Sequence, residues 1–199
     1  MSCGCEAWLP YAQQRDVESV LRLAEEFEIS SPCVRLSSHF FRLLTMGYLT
    51  RNDVIKAKCV IRRWNESLKR AAITEDDNDA RARLMLQKVA DYCARYAYGN
   101  AFKEMVKNLT NSTSGEDVAC LQECLLDNLA ARYVEQRTGF YSEANDLRRF
   151  AAALDVSPAD VEARLQRVRM DHLRCLQSAS AASVPMACET LRCAVQMGG

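Results

Sequence analysis

Glycine, proline and histidine are all scarce in this chain of 199 residues, which holds 7 glycines, 4 prolines and 2 histidines. Few glycines and prolines mean few chain breaks, and this composition favours long helices over short strands joined by tight turns. Histidine is the commonest metal ligand and the usual proton carrier near neutral pH, so two histidines leave little material for either role. The composition therefore points away from a histidine-based active site.

An excess of charge of one sign and a long apolar run are also missing. The chain carries 26 basic and 26 acidic residues, so its net charge gives no overall attraction to nucleic acid or to an anionic membrane. No apolar run approaches the roughly 20 residues of a membrane span. The N-terminal residues lack the pattern of a signal peptide. We expect a soluble intracellular protein with no membrane partner and no direct nucleic-acid partner.

Cysteine, in contrast, is abundant, with ten residues. Zinc sites combine closely spaced cysteine pairs with each other or with histidines. The pairs here are Cys3/Cys5, Cys120/Cys124 and Cys188/Cys193; the first is too close for a chelating loop, and the others fall in helical patterns. We predict no metal, no cofactor and no disulfide, and we expect most cysteines to act as small apolar core residues.

Apolar residues recur at spacings of three and four in nearly every segment, which predicts an all-α fold. The first predicted helix runs from Asp16 to Phe27. The second begins near Pro32 and is interrupted near its end by Gly47. Further helices are predicted near residues 53–68, 80–95, 102–109, 117–136, 143–154 and 158–168, with a short terminal helix near 187–197.

The helix pattern changes character after the polar loop near residues 110–115. Ser157 and Pro158 are typical of a helix N-terminus, so two helices joined by a tight turn follow the helix that starts near Asp117. This order is typical of a winged-helix module, for which Val168 to Leu176 could supply a short strand. We predict a tail at 1–15, a right-handed helical-repeat array at 16–115, a degenerate winged-helix module at 116–177, and a linker and C-terminal helix at 178–199.

No catalytic motif is present: the sequence has no Gly-x-Ser-x-Gly, no P-loop and no Gly-x-Gly-x-x-Gly. Cys93 or Cys120 could act as a nucleophile only with a base beside it, and His39 and His172 are the only imidazoles. We predict no catalytic residues, no enzymatic activity and no small-molecule substrate.

Two basic regions each allow more than one interpretation. The predicted helix after Asn52 has a basic outer face, which is either a solvated surface or a contact for an acidic partner. Between Arg137 and Gln177 the sequence has seven arginines and six acidic residues. Asp160 and Glu162 lie at the start of the predicted recognition helix, where it would meet DNA. This arrangement favours protein assembly over DNA binding.

Two stretches resemble the small PCI-domain proteins, a family shared by the proteasome lid, the signalosome and translation initiation factor three. Residues 140–162, with residues 125–133 before them, resemble the family's passage from a helix through a turn into the next helix. Residues 41–58, followed by Trp64, are similar to the signalosome branch of the family, with a leucine-rich helix, an Asn-Asp turn and a helix carrying a tryptophan.

The resemblance implies a function, a location and a set of contact residues. It implies a noncatalytic scaffold subunit of the COP-nine signalosome, which supports the removal of a ubiquitin-like modifier from cullins, in the cytoplasm and nucleus. The alternatives are subunit k of initiation factor three, bound to the small ribosomal subunit, and the small PCI subunit of the proteasome lid. The partners would be other PCI-domain subunits of a large hetero-oligomer. The predicted partner-binding residues are Tyr141, Arg148, Arg149, Leu191, Val195 and Met197.

Overall fold

The computed structural model describes residues 7–30, 36–71, 76–109, 115–138, 143–174 and 176–177. Every regular element in these ranges is an α-helix, which confirms the all-α prediction. The helices are α1 (Leu9–Gln13), α2 (Val17–Ser30), α3 (Ser38–Thr50), α4 (Val54–Ala71), α5 (Asp77–Ala94), α6 (Tyr98–Leu109), α7 (Glu116–Thr138), α8 (Glu143–Leu154) and α9 (residues 158–174).

Helix α3 lies at the centre of the molecule. It contacts α2, α4, α5 and α7, and every residue from Phe40 to Thr50 is buried. Its two buried threonines form hydrogen bonds within the helix: the Thr45 hydroxyl donates to the Phe41 carbonyl, and the Thr50 hydroxyl donates to the Met46 carbonyl. A helix that is buried on all sides has to be surrounded by others, and α2, α4, α5 and α7 surround α3.

Four pairs of consecutive helices are joined by the same turn. In each turn a residue other than glycine adopts the left-handed conformation, and the next residue donates its amide to a carbonyl five positions earlier, as in a Schellman motif. The left-handed residues are Arg15, Asn52, Tyr96 and Asp155, and the amide–carbonyl pairs are Asp16–Tyr11, Asp53–Tyr48, Ala97–Tyr92 and Val156–Ala151. The pairs α1–α2, α3–α4, α5–α6 and α8–α9 are therefore built alike.

The start and the interior of α3 differ from the prediction. The helix begins at Ser38 rather than near Pro32, because the Ser37 hydroxyl accepts the Phe40 amide and caps the helix there. Gly47 does not interrupt the helix, which continues to Thr50. A Cβ atom at Gly47 would lie 2.7 Å from Leu21 Cδ2, so the glycine permits close packing of α2 on α3.

The two ends of the described chain also differ from the prediction. Residues 168–174 belong to α9, so the short strand considered from Val168 onward is wrong for that range. Residues 1–15, predicted as a tail, include α1, which packs on α7 and α2. The predicted C-terminal linker and helix at 178–199 lie outside the described residues.

Membrane insertion finds no support among the described helices. None of them combines the length and the apolar character that crossing a bilayer requires.

Candidate interaction surfaces

A histidine and a carboxylate do meet in the fold, at the junction of α1, α3 and α7. Asp117 is buried, and its Oδ2 atom lies 2.8 Å from His39 Nε2 and 3.0 Å from Trp8 Nε1, which donates to it. Burial raises the pKa of Asp117, but the hydrogen bonds from His39, the Val118 amide and Trp8 outweigh this effect and lower it. The carboxylate therefore holds three helices together as an anion.

The described cysteines have the properties of core residues more than those of nucleophiles. Burial raises the pKa of Cys93 to about 11 and that of Cys124 to about 12, and it also raises that of Cys120, where Glu116 adds to the effect. A nucleophilic cysteine requires the opposite shift. Cys93 and Cys124 are buried, as predicted for core residues, whereas Cys59 is exposed on α4.

A second buried carboxylate connects the two ends of the described chain. Asp127 of α7 has no solvent exposure, and its oxygens accept hydrogen bonds from three arginines. Arg15 donates at 2.8 Å, Arg164 at 2.8 Å, and Arg167 at 2.7 Å and 2.8 Å. Arg15 also donates to Asp171 of α9 at 2.6 Å. We call these five residues the Asp127 cluster; they fix α9 against α7 and the α1–α2 turn.

Several arginines near the C-terminus, which sequence analysis treated only as a group of cations, bind groups of the chain itself. Arg164 and Arg167 bind Asp127, and Arg174 lies 3.7 Å from Asp171. Arg137 stacks over the Tyr133 ring at 4.7 Å. At least four of the seven arginines between Arg137 and Gln177 are thus engaged within the chain, which leaves few for contacts with phosphate.

The basic outer face predicted after Asn52 is present on α4, and acidic residues of the chain neutralise it. Most of its cations form ion pairs with carboxylates on α2, α4 or α5, and so the face offers little net charge to an acidic partner. The pairs are Arg51–Glu18, Lys56–Glu25, Lys58–Asp91, Arg62–Glu66, Arg63–Glu28 and Arg70–Glu66. These contacts favour the interpretation as a solvated surface.

The end of α9 exposes an apolar surface that the sequence reading missed. Met170 and Leu173 are each about half exposed, and Leu176, in the helical residues 176–177, is 55% exposed. Their spacing of three places them along one side of a helix. We call these three residues the α9 stripe. This spacing of three was present in the sequence, but the interpretation of Val168 to Leu176 as a strand concealed it.

Only part of the predicted partner-binding set falls in the described chain. Arg148 and Arg149 are exposed on α8, whose opposite side packs Phe150 and Ala151 into the core. Tyr141, Leu191, Val195 and Met197 lie outside the described residues. The structure thus brings Arg148 and Arg149 to the surface and leaves the other four without a described position.

A hollow lies between the α3–α4 turn and the α5–α6 turn, with a volume of about 410 Å³. Its walls include Val54 and Ile55 from α4, Cys93 from α5, Tyr96 from the second turn and Tyr98 from the start of α6. We call it the turn hollow. Two exposed apolar side chains, Ile55 and Tyr96, stand at its edge.

Neither a metal centre nor a known relative provides further guidance. Within the described residues, no group of three or more histidine, cysteine, aspartate or glutamate side chains is placed to hold a metal ion. No protein-family model, curated protein or solved structure matches this chain. A proposal about its function therefore depends on its own residues and surfaces.

Proposed function

We propose that the chain is a noncatalytic scaffold subunit of the COP-nine signalosome, which assembles with other PCI-domain subunits and so supports cullin deneddylation. The observation that carries the proposal is the α9 stripe. It presents Met170 and Leu173 to solvent on the last described helix, and Leu176 just after that helix. A surface of this kind marks a protein contact more often than a site of chemistry.

Two further features support an assembly role. The four helix pairs with identical turns are what a helical-repeat array requires, and repeat arrays serve mainly as extended binding surfaces. The α8–α9 pair matches the helix-turn-helix expected of a winged-helix module, with Ser157 capping α9 through the Asp160 amide at 3.1 Å.

The predicted terminal helix follows the α9 stripe in the sequence. Leu191, Val195 and Met197 form an apolar pattern in the sequence shortly after the stripe. A helix this short is marginal in isolation, so we expect it to be ordered by contact with partner subunits. In this proposal the α9 stripe and the terminal segment form one continuous assembly surface, and Arg148 and Arg149 of α8 form a second contact.

The proposal is tested by affinity purification of the tagged full chain from cells, followed by mass spectrometry. We expect cullins and signalosome subunits in the wild-type sample. The variant Met170→Gln/Leu173→Gln/Leu176→Gln keeps helix-forming residues but removes the apolar surface, and it should recover at least about tenfold less of these proteins. The matched control Ile29→Gln/Leu84→Gln removes exposed apolar residues elsewhere and should recover wild-type amounts.

The same experiment separates the alternatives. Ribosomal proteins of the small subunit in place of cullins would indicate subunit k of initiation factor three. Proteasome lid subunits would indicate the third assembly. Recovery of none of the three sets, or equal recovery with the triple variant, would contradict the proposal.

A further inference from the structure

A cavity of about 110 Å³ lies where helices α3, α5, α6 and α7 meet. We call it the four-helix cavity. Part of its wall is apolar and comes from Met46 of α3 and Met85 of α5, which are 1% and 6% exposed. An engineered protein cavity of about 150 Å³ is large enough to bind benzene. The four-helix cavity can therefore hold part of a small organic molecule.

Gln122 of α7 brings to this cavity an amide that the described fold leaves without a hydrogen bond. The residue lines the cavity and is 4% exposed, and its side chain forms no hydrogen bond within the part of the chain that the structure describes. Buried amides as a rule have partners, because burial of an amide without one is destabilising. A ligand that offers both a donor and an acceptor to Gln122 would offset this loss.

Asn108 of α6 adds a further hydrogen-bond acceptor to the cavity wall. Its Nδ2 atom donates to the Glu104 carbonyl at 2.7 Å, while its Oδ1 atom accepts no hydrogen bond from the described residues. Together with Gln122, the wall thus offers two amide oxygens and one amide nitrogen. A carboxamide on a ligand is complementary to this set, because it has two N–H donors and one carbonyl acceptor.

The charged groups at the cavity are balanced in number. Arg42 donates to Asp79 at 2.7 Å, so these two lining residues neutralise each other. Asp76 and Arg81 also line the cavity, both are exposed, and their side chains form no ion pair or hydrogen bond among the described residues. The entrance therefore offers one anion and one cation, an arrangement that matches a zwitterion with an ammonium group and a carboxylate.

We propose that the four-helix cavity binds a free α-amino acid whose side chain ends in a carboxamide, namely glutamine or asparagine. The carboxamide of the ligand hydrogen-bonds to Gln122 and Asn108, and its methylene groups contact the two methionines. The ammonium group meets Asp76 and the carboxylate meets Arg81 at the entrance. No residue of α8 or α9 takes part, so this site goes beyond the proposed function and is independent of it.

The test is isothermal titration calorimetry of the full chain with L-glutamine and with L-asparagine. We expect at least one of them to bind with a Kd below about 1 mM. Analogues of the amino acid that binds more tightly then each lack one group. For glutamine these are glutaramic acid without the ammonium group, 4-aminobutanamide without the carboxylate, and L-methionine without the carboxamide. For asparagine they are succinamic acid, 3-aminopropanamide and L-norvaline. Each analogue should bind at least about tenfold more weakly.

Two variants test the two ends of the site. Gln122→Met keeps the length of the side chain and its helix propensity but removes the amide, so binding should weaken at least about tenfold. Its melting temperature should equal or exceed that of the wild type, because a buried amide without a hydrogen bond is lost. Asp76→Asn/Arg81→Gln removes the charges at the entrance and should also weaken binding about tenfold. The matched control Asp155→Asn/Arg95→Gln changes exposed residues elsewhere and should bind as the wild type does.

Several outcomes would overturn the proposal. These are the absence of binding by both amino acids, equal affinity for an analogue that lacks one of the three groups, and equal affinity of Gln122→Met or of Asp76→Asn/Arg81→Gln. A melting temperature of Gln122→Met well below that of the wild type would assign the amide to support of the fold and would also overturn it. A failure to recover signalosome subunits by affinity purification would affect the proposed function only, since the titration does not depend on it.

Discussion

Asp127 joins segments that are far apart in the sequence, since Arg15 precedes it by 112 residues and Arg167 follows it by 40. Sequence reasoning did not find this cluster, and it placed Arg164 and Arg167 only in a count of charges. Periodicity identifies which face of a helix is buried, but it contains no information about which distant residue meets a buried carboxylate. The same holds for Trp8 and Asp117, which lie 109 residues apart.

The Asp127→Asn substitution should destabilise the protein by about 3 kcal/mol. The amide keeps the shape of the side chain but removes the buried anion that three arginines share; Arg15 keeps Asp171 and Arg164 keeps Glu123, whereas Arg167 loses its carboxylate. Breaking a buried ion pair on one side is costly. Urea unfolding of the variant measures the loss. The control Glu66→Gln removes exposed ion pairs with Arg62 and Arg70 and should cost less than about 1 kcal/mol. Equal losses in the two variants would contradict the prediction.

Asp117 predicts a dependence of stability on pH. A carboxyl group with a lowered pKa stabilises the fold above its unfolded pKa of about 4, and this contribution is lost as the pH falls through the folded pKa. The difference in unfolding free energy between wild type and Asp117→Asn should therefore be full at about pH 5 and should shrink below about pH 4. Denaturant titrations from pH 6 to pH 2.5 measure it, and a difference that stays constant would argue against this role.

Single helices were predictable where their apolar face was regular. The expected helix at 143–154 coincides with α8, and the helix expected near 53–68 is α4, which buries Ala57, Ile61 and Trp64. Helix α1 was missed because five residues are too few to establish a period. The strand considered from Val168 was wrong because a short apolar run is compatible with a helix as well as with a strand. The helix predicted near residues 102–109 begins earlier than expected, because Tyr98 and Gly99 already belong to α6.

The repeated turn predicts where a helix cap could be added. Asp16, Asp53 and Ser157 each stand just before the next helix and accept an amide of its first turn, whereas Ala97, just before α6, has no side-chain acceptor. Ala97→Ser should therefore stabilise the protein by about 1 kcal/mol. Thermal unfolding measures the change.

Two further variants test whether helix capping causes the stabilisation expected of Ala97→Ser. Ser157→Ala should lose about as much as Ala97→Ser gains, because it removes the equivalent cap. Ala94→Ser, one turn earlier and inside α5, should give no gain, since serine is a weaker helix former than alanine. Stabilisation by Ala94→Ser equal to that by Ala97→Ser would mean that capping is not the cause.

At the scale of the whole molecule, the all-α class could be predicted and the arrangement of the helices could not. Composition and periodicity predict helices, but the central position of α3 depends on which helices surround it, and only packing determines that. Part of the proposed assembly surface was predicted in the terminal segment, and the α9 stripe became visible only when residues 168–174 proved helical. Membership of the signalosome stays a prediction.

Deleting the two ends of the chain should change the melting temperature by very different amounts. Removal of residues 1–15 deletes Trp8, which is 2% exposed, and Arg15, so we expect the melting temperature to fall by about 10 °C or more. Removal of residues 178–199 should change it by less than about 2 °C, because we expect that segment to be ordered by partner subunits and not by this chain's own core. The second deletion should nevertheless abolish co-purification with partner subunits. Similar melting temperatures for both truncated proteins would contradict the prediction.

The bond between Arg15 and Asp171 also sets an order of events during biosynthesis. The two residues are 156 positions apart, so at 5 to 20 residues per second a ribosome makes Asp171 roughly 8 to 31 s after Arg15. For most of that interval Arg15 lacks Asp127 and Asp171, and the indole of Trp8 lacks its hydrogen-bond acceptor Asp117, which is made 109 residues after it. The first helix to be synthesised is consequently among the last to reach its final position.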